Sequence, residues 1–152
     1  YGTSIRENIP GAFAAGTAAP AYGIYFSAGS PQSYILFADK NGNGTYDGNS
    51  IDTVVQTFTI NRGYNIQNFC ATNSSTVHCN KSTGITSLTM VFKRPNPDAC
   101  FTTSPSFLSA CSPSGTPVYA SGYVQLIGPD GITTRSVTVG SSGAISVGAV
   151  GS

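Results

Sequence analysis

Tyr123-Val124-Gln125-Leu126-Ile127-Gly128-Pro129-Asp130-Gly131-Ile132-Thr133-Thr134-Arg135-Ser136-Val137-Thr138-Val139-Gly140-Ser141-Ser142-Gly143-Ala144-Ile145-Ser146-Val147 is where strand and turn signals alternate most clearly in this chain. Gly128-Pro129-Asp130-Gly131 places proline at the second position of a four-residue turn and glycine at the fourth, as a type I turn prefers. It predicts a hairpin between a strand over Val118 to Ile127 and another over Thr133 to Val139. In the second of these, Val137 and Val139 alternate with Thr134, Ser136 and Thr138, so one face is apolar and the other polar. Gly140-Ser141-Ser142-Gly143 then turns the chain into Ala144 to Val147, with Ile145 and Val147 on one face. The result is a C-terminal three-stranded antiparallel meander.

Upstream the same grammar repeats. Tyr22 to Ser27, Tyr34 to Ala38, Ile51 to Ile60, Tyr64 to Ala71 and Ser87 to Lys93 are rich in Val, Ile, Tyr, Phe and Thr, and clusters of Gly, Pro, Asn and Ser separate them. These predict a mainly β domain with an antiparallel sheet. The one plausible helix is Thr3 to about Ala19, where Ile5 and Ile9 lie four apart; Pro10, Gly11, Gly16 and Pro20 keep it short. The segment from Arg94 to Thr116 holds four of the nine prolines and reads as an irregular loop. At 152 residues the expectation is a single domain over 1–152, with 1–19 as helix end or linker and 20–152 as the β-rich part.

Charged residues make up only 9% and the net charge is +1. The surface is therefore polar through hydroxyl and amide groups, as in extracellular β-rich proteins, and without a basic patch no nucleic-acid partner is expected. No apolar run approaches the ~20 residues of a membrane helix. The four cysteines fall in two local pairs, Cys70 with Cys79 and Cys100 with Cys111. An even count in this setting points to disulfides and an oxidising compartment. Local pairing is favoured among the three connectivities, because each pair encloses a short polar loop. Zinc is the weaker reading, since no C-x-x-C knuckle is present and His78 is the sole histidine.

The loop after Tyr34-Ile35-Leu36-Phe37-Ala38 is the most specific local signal. Asp39-Lys40-Asn41-Gly42-Asn43-Gly44-Thr45-Tyr46-Asp47-Gly48 gathers, with Asp52, three of the six acidic residues. Asp39, Asn41, Asn43 and Asp47 stand at positions 1, 3, 5 and 9 of a calcium-loop pattern, and Thr45 would offer its backbone carbonyl at position 7. Ser50 replaces the closing bidentate Glu, leaving Asp52 or a water to complete the set, so affinity is expected in the weak range of ~10⁻⁴ to 10⁻³ M. The competing reading is a long polar hairpin loop, because Asn-Gly pairs favour tight turns.

Catalysis finds little support. One His, one Glu and five Asp offer few acids, bases or activated nucleophiles, and the familiar hydrolase and phosphate-loop motifs are absent. His78, beside Cys79, reads as a surface residue. Tyr22, Tyr25, Tyr34, Tyr46, Tyr64, Tyr119 and Tyr123 would suit a carbohydrate surface, which gives the alternative of a secreted calcium-dependent adhesin or sugar-binding β-domain; the simpler reading is ordinary strand tyrosines.

In order along the chain, Ala21-Tyr22-Gly23-Ile24-Tyr25-Phe26, then Ser33 through Asp47, then Ser136 through Val147, resemble the extracellular headgroup of a prepilin-type protein, close to the GspH/FimT-like minor pilins and pseudopilins. The resemblance implies an α+β pilin-like fold, with residues Thr3 to Ala15 as the end of an N-terminal hydrophobic helix that anchors the subunit in the inner membrane and then packs in the filament. It implies a non-catalytic subunit of a type IV pilus or type II secretion pseudopilus, whose partners are other pilin subunits and whose isolated head is a monomer. Some such proteins bind DNA through a C-terminal Gly-Arg-x-Arg pattern; only Arg135 stands in the corresponding region here, so that role is not expected.

Overall fold

The computed structural model describes residues 21–93, 98–108 and 118–148. Ten strands follow in chain order: β1 (Ala21–Ser27), β2 (Ser33–Asp39), β3 (Thr53–Thr59), β4 (Asn65–Thr72), β5 (Val77–Cys79), β6 (Ser87–Phe92), β7 (Ala99–Ser104), β8 (Ser121–Ile127), β9 (Thr134–Gly140) and β10 (Ile145–Gly148). They form two five-stranded sheets in the orders β3-β2-β1-β6-β7 and β10-β9-β8-β4-β5, with every pairing antiparallel. The mainly β reading stands. No helix occurs among the described residues, and the expected N-terminal helix falls on residues outside them.

The C-terminal meander forms as expected. The Gly131 N–H donates to the Gly128 carbonyl (3.0 Å), and the Gly143 N–H to that of Gly140 (2.9 Å), closing the two turns. Val137 then lies opposite Val124 and Ile145 opposite Val139, as the alternation requires.

The sheets stack face to face because each presents an apolar face to the other. Phe26, Leu88, Met90, Ala99 and Phe101 from one sheet meet Ile66, Phe69, Ala71, Val124 and Val139 from the other in a single core. Burying a phenylalanine such as Phe69 or Phe101 stabilises by about 1.5–3 kcal/mol. Gly122 on β8 allows a close approach between the sheets: a Cβ there would stand 2.9 Å from Phe101 Cδ1 and 3.1 Å from Met90 Cε.

The reading of Arg94 to Thr116 as an irregular loop is corrected by β7. This strand pairs along its whole length with β6 and buries Ala99, Phe101 and Thr103, while Cys100, Thr102 and Ser104 point the other way. Its period-2 pattern is short and flanked by Pro95, Pro97 and Pro105, which mask it. The three-residue β5 was likewise not anticipated. It is held to β4 by the Cys70–Cys79 disulfide, whose cysteines are register partners. A bridge closing so short a loop contributes about 2–3 kcal/mol in the chain-entropy account. Cys100 is also disulfide-bonded; Cys111 lies outside the described residues.

Candidate functional site: the carboxylate-held loop between β2 and β3

The first sheet has a second apolar face, turned away from the core. Gly23 on β1, Phe37 on β2 and Val91 on β6 are register neighbours there; Phe37 is fully buried and Val91 nearly so. What covers them is the loop from Lys40 to Ile51, folded back across the sheet. Tyr46 packs against Phe37 and Tyr25, with ring centroids 5.1 and 4.9 Å apart. The Thr102 hydroxyl of β7 donates to the Gly44 carbonyl (2.9 Å), fixing the tip of the loop to the far side of the sheet.

Carboxylates hold this loop together. Asp39 accepts the Gly42 N–H at Oδ1 (2.8 Å) and the Gly44 N–H at Oδ2 (2.8 Å). Asp52 accepts the Lys40 N–H at Oδ1 (3.1 Å) and the Asp47 N–H at Oδ2 (2.7 Å). Both residues are only 2% exposed. Asp47 Oδ2 receives the side-chain amides of Asn41 (2.9 Å) and Asn43 (2.5 Å). The Asn41 and Asn43 oxygens in turn accept the N–H groups of Asn43 (3.2 Å) and Thr45 (3.0 Å). Gly42, Gly44 and Gly48 have positive φ, which lets successive amides turn inward to these oxygens.

The residues predicted as metal ligands are thus brought together. Asp39, Asn41, Asn43, Asp47 and Asp52 belong to one hydrogen-bonded network, with Thr45 supplying its N–H to it. The loop is also the long polar hairpin connection of the competing reading, since β2 and β3 pair antiparallel on either side of it; that it folds back over the sheet belongs to neither reading. Asn41, Asn43 and Asp47 converge on one point, but amide nitrogens face the carboxylate there. Among the described residues no group of three or more His, Cys, Asp and Glu is arranged as a metal site.

Desolvation raises the Asp52 carboxyl above the ordinary aspartate value; the Asp47 and Lys40 N–H groups pull it down, and the charges of Asp39 and Asp47 push it up. A carboxyl raised by folding favours the folded state below the unfolded pKa and loses that contribution as pH rises through the raised value. Asp130, in the β8–β9 turn, has the opposite sign. Bonds from the Thr133 hydroxyl and from the Ile132 and Thr133 N–H groups lower it to about 2, so its contribution is present above the unfolded value and lost as pH falls toward 2. Thermal melts across pH should therefore show Asp52→Asn flattening the decline as pH rises above the ordinary aspartate range, and Asp130→Ala flattening the loss as pH falls toward about 2. An Asp52→Asn variant with the parent's slope above the ordinary aspartate range contradicts the assignment.

His78 is not the surface residue its position beside Cys79 implied. It is half-buried on β5, its Nδ1 is 2.8 Å from the Tyr119 hydroxyl, and its ring stacks on Phe107 at 4.2 Å. Three of the tyrosines are engaged within the fold. Tyr119 is in the core, Tyr34 stacks on Phe58 between strands, and Tyr46 of the folded loop packs down onto Phe37 and Tyr25. No protein-family model matches this chain, and it matches no curated protein and no solved structure.

Proposed function

We propose that the domain is a non-catalytic structural head, displayed outside the cytoplasm on a pilin-like filament subunit of a type IV pilus or type II secretion system. The observation that carries this reading is the folded-back loop. Asp39, Asp47 and Asp52 bind backbone and amide N–H groups and thereby seal the outer face of a sheet, which is the work of a structural clip. The Cys70–Cys79 disulfide suits an oxidising compartment, and the ordered motifs of β1, β2 and the C-terminal meander supply the filament reading.

Calcium adds to the clip in this proposal. Asn41, Asn43, Asp47 and Asp39 would hold the ion, with the Thr45 carbonyl and Asp52 completing the set. Their fit rests on the convergence of three side chains at Asp47 Oδ2; binding requires both asparagine amides to turn their oxygens inward, at the expense of the bonds to Asn43 and Thr45. That competition keeps the site weak. Calcium at ten times its dissociation constant stabilises by about 1.4 kcal/mol, a saturable rise in melting temperature of about 3 °C for a domain of this size. The rise should vanish in Asp47→Ala; no rise in the parent protein leaves the clip without a metal role.

The filament reading is tested by shearing surface structures from cells that express the full-length gene and probing the sheared fraction with antibody to this domain. Recovery in the sheared filaments supports it. Recovery only as free protein in the medium refutes it and favours the secreted adhesin.

A further inference from the structure

The chain contains two Asn-Gly pairs, Asn41-Gly42 and Asn43-Gly44, and both lie in the loop between β2 and β3. An asparagine followed by glycine is especially prone to lose its side-chain amide, because no Cβ on the next residue hinders the backbone nitrogen that attacks it. The fold cannot dispense with either glycine. Their φ angles are 73° and 80°, a conformation in which a side chain would be strained. Nor does burial shield the asparagines, since Asn41 and Asn43 are both exposed. Hydrogen bonds restrain them instead. The two nitrogens that would attack, those of Gly42 and Gly44, each donate to an oxygen of Asp39 at 2.8 Å. The side-chain amides are pinned as well: their oxygens accept the N–H groups of Asn43 (3.2 Å) and Thr45 (3.0 Å), and their nitrogens donate to Asp47 Oδ2.

We propose that Asn41 and Asn43 form a guarded modification site: Asp39 keeps both as amides while the loop is closed, and release of the loop converts them to aspartyl and isoaspartyl residues. In this reaction the glycine nitrogen passes its proton to a solvent base and bonds to the asparagine Cγ. The Cγ–Nδ2 bond breaks and ammonia leaves. Water then opens the cyclic imide, at Cγ to give aspartate or at the backbone carbonyl to give isoaspartate. Water is the only co-reactant. While the loop is closed, each attacking N–H is committed to the Asp39 carboxylate, whose negative charge holds the proton that must depart. Conversion removes an amide donor from Asp47 and adds a negative charge close to it, so the opened loop does not recover its network. The modification thereby records that the clip has opened. The inference is independent of calcium and of the filament reading.

The test incubates the parent chain, Asp39→Ala and Leu88→Ala in chelator at mildly alkaline pH, each shown to be folded by its melting transition. Leu88 is fully buried between the sheets, so its truncation lowers stability from the core. Peptide mass spectrometry reads the mass gain and the isoaspartyl fraction at each asparagine, with the parent unfolded in urea as the reference. Both sites should convert about tenfold or more slowly in the folded parent than in urea, tenfold corresponding to about 1.4 kcal/mol of loop closure. Asp39→Ala should bring both rates close to the urea value, whereas Leu88→Ala should stay near the parent. If Asp39→Ala does not fold, Thr102→Val, which removes the anchor on the Gly44 carbonyl, carries the comparison and should speed Asn43 more than Asn41. Equal rates in folded and unfolded parent, or no acceleration when Asp39 or Thr102 is replaced, overturn the proposal. Equal acceleration by Leu88→Ala also overturns it, by assigning the protection to global stability.

Discussion

Asp39→Ala is expected to lower the stability of the domain by about 3–4 kcal/mol, because the buried carboxylate accepts two backbone N–H groups and each bond to a charged acceptor is worth about 1.5–3 kcal/mol. The loss arises in two stages. Gly42 and Gly44 are left with inward-facing amides and no acceptor, and Gly44 is itself buried. The loop tip then loosens, weakening the Thr102 anchor and the cover that Tyr46 gives Phe37. Urea denaturation in a chelator is the discriminating measurement. The full loss should persist without divalent cations, since the donors are protein N–H groups; a variant equal to the parent in chelator and weaker only with calcium would assign the clip to an ion. Asp39→Asn, which keeps one acceptor oxygen, should fall between.

Gly23→Val is expected to cost about 3 kcal/mol or more, at the upper end of overpacking. A single Cβ at this position would stand 2.7 Å from two atoms of the Phe37 ring and 2.9 Å from Val91 Cγ2, and valine adds two more carbons. Phe37 has no free direction in which to yield, because Tyr46 covers it on the outer side. Displacing it lifts the loop. Calorimetric melting of Gly23→Val, Phe37→Leu and the double variant tests this route: Phe37→Leu removes ring volume at the contact, so the double variant should be more stable than the sum of the single losses. Strict additivity would show that the strain is released elsewhere in the sheet.

Much of the fold is legible in the chain because strands of this protein advertise themselves by β-branched and aromatic runs between glycine-rich turns. Eight strands show that grammar, and the Gly128–Gly131 turn names its own hairpin. β7 is hidden for a definite reason: Ala99, Phe101 and Thr103 alternate over only six residues, and the surrounding prolines imitate a loop. The site is legible in its residues and not in its placement. Asp39, Asn41, Asn43 and Asp47 at positions 1, 3, 5 and 9, with Asp52 beyond them, mark the loop as a carboxylate cluster of calcium-loop spacing, and the structure gathers the same residues around backbone and amide N–H groups. That the turn lies across Phe37 and Val91 depends on Thr102, 58 residues away from Gly44, and no local pattern carries such a contact. A signal was present, however, since Phe37 and Ala38 extend the apolar run of β2 onto both faces, and a strand apolar on both faces requires a cover on each.

The sheet orders also fix how the chain can fold. β1 to β3 and β8 to β10 are local meanders at the two ends of the described chain, each able to form by neighbouring hairpin or meander contacts. Neither is a finished sheet: β1 still has to pair with β6, and β8 with β4. The middle of the chain completes both, sending β4 and β5 to one sheet and β6 and β7 to the other. During synthesis the inner edge of β1 therefore emerges unpaired and remains so until residues near Ser87 to Phe92 follow, while β4 must wait for Ser121 to Ile127. Long-range pairing of this kind slows folding toward the millisecond-to-second range of non-local β proteins. A chain cut between β5 and β6 therefore leaves two inner strand edges open on each fragment, β1 and β4 on one and β6 and β8 on the other, the templates on which intermolecular sheets grow.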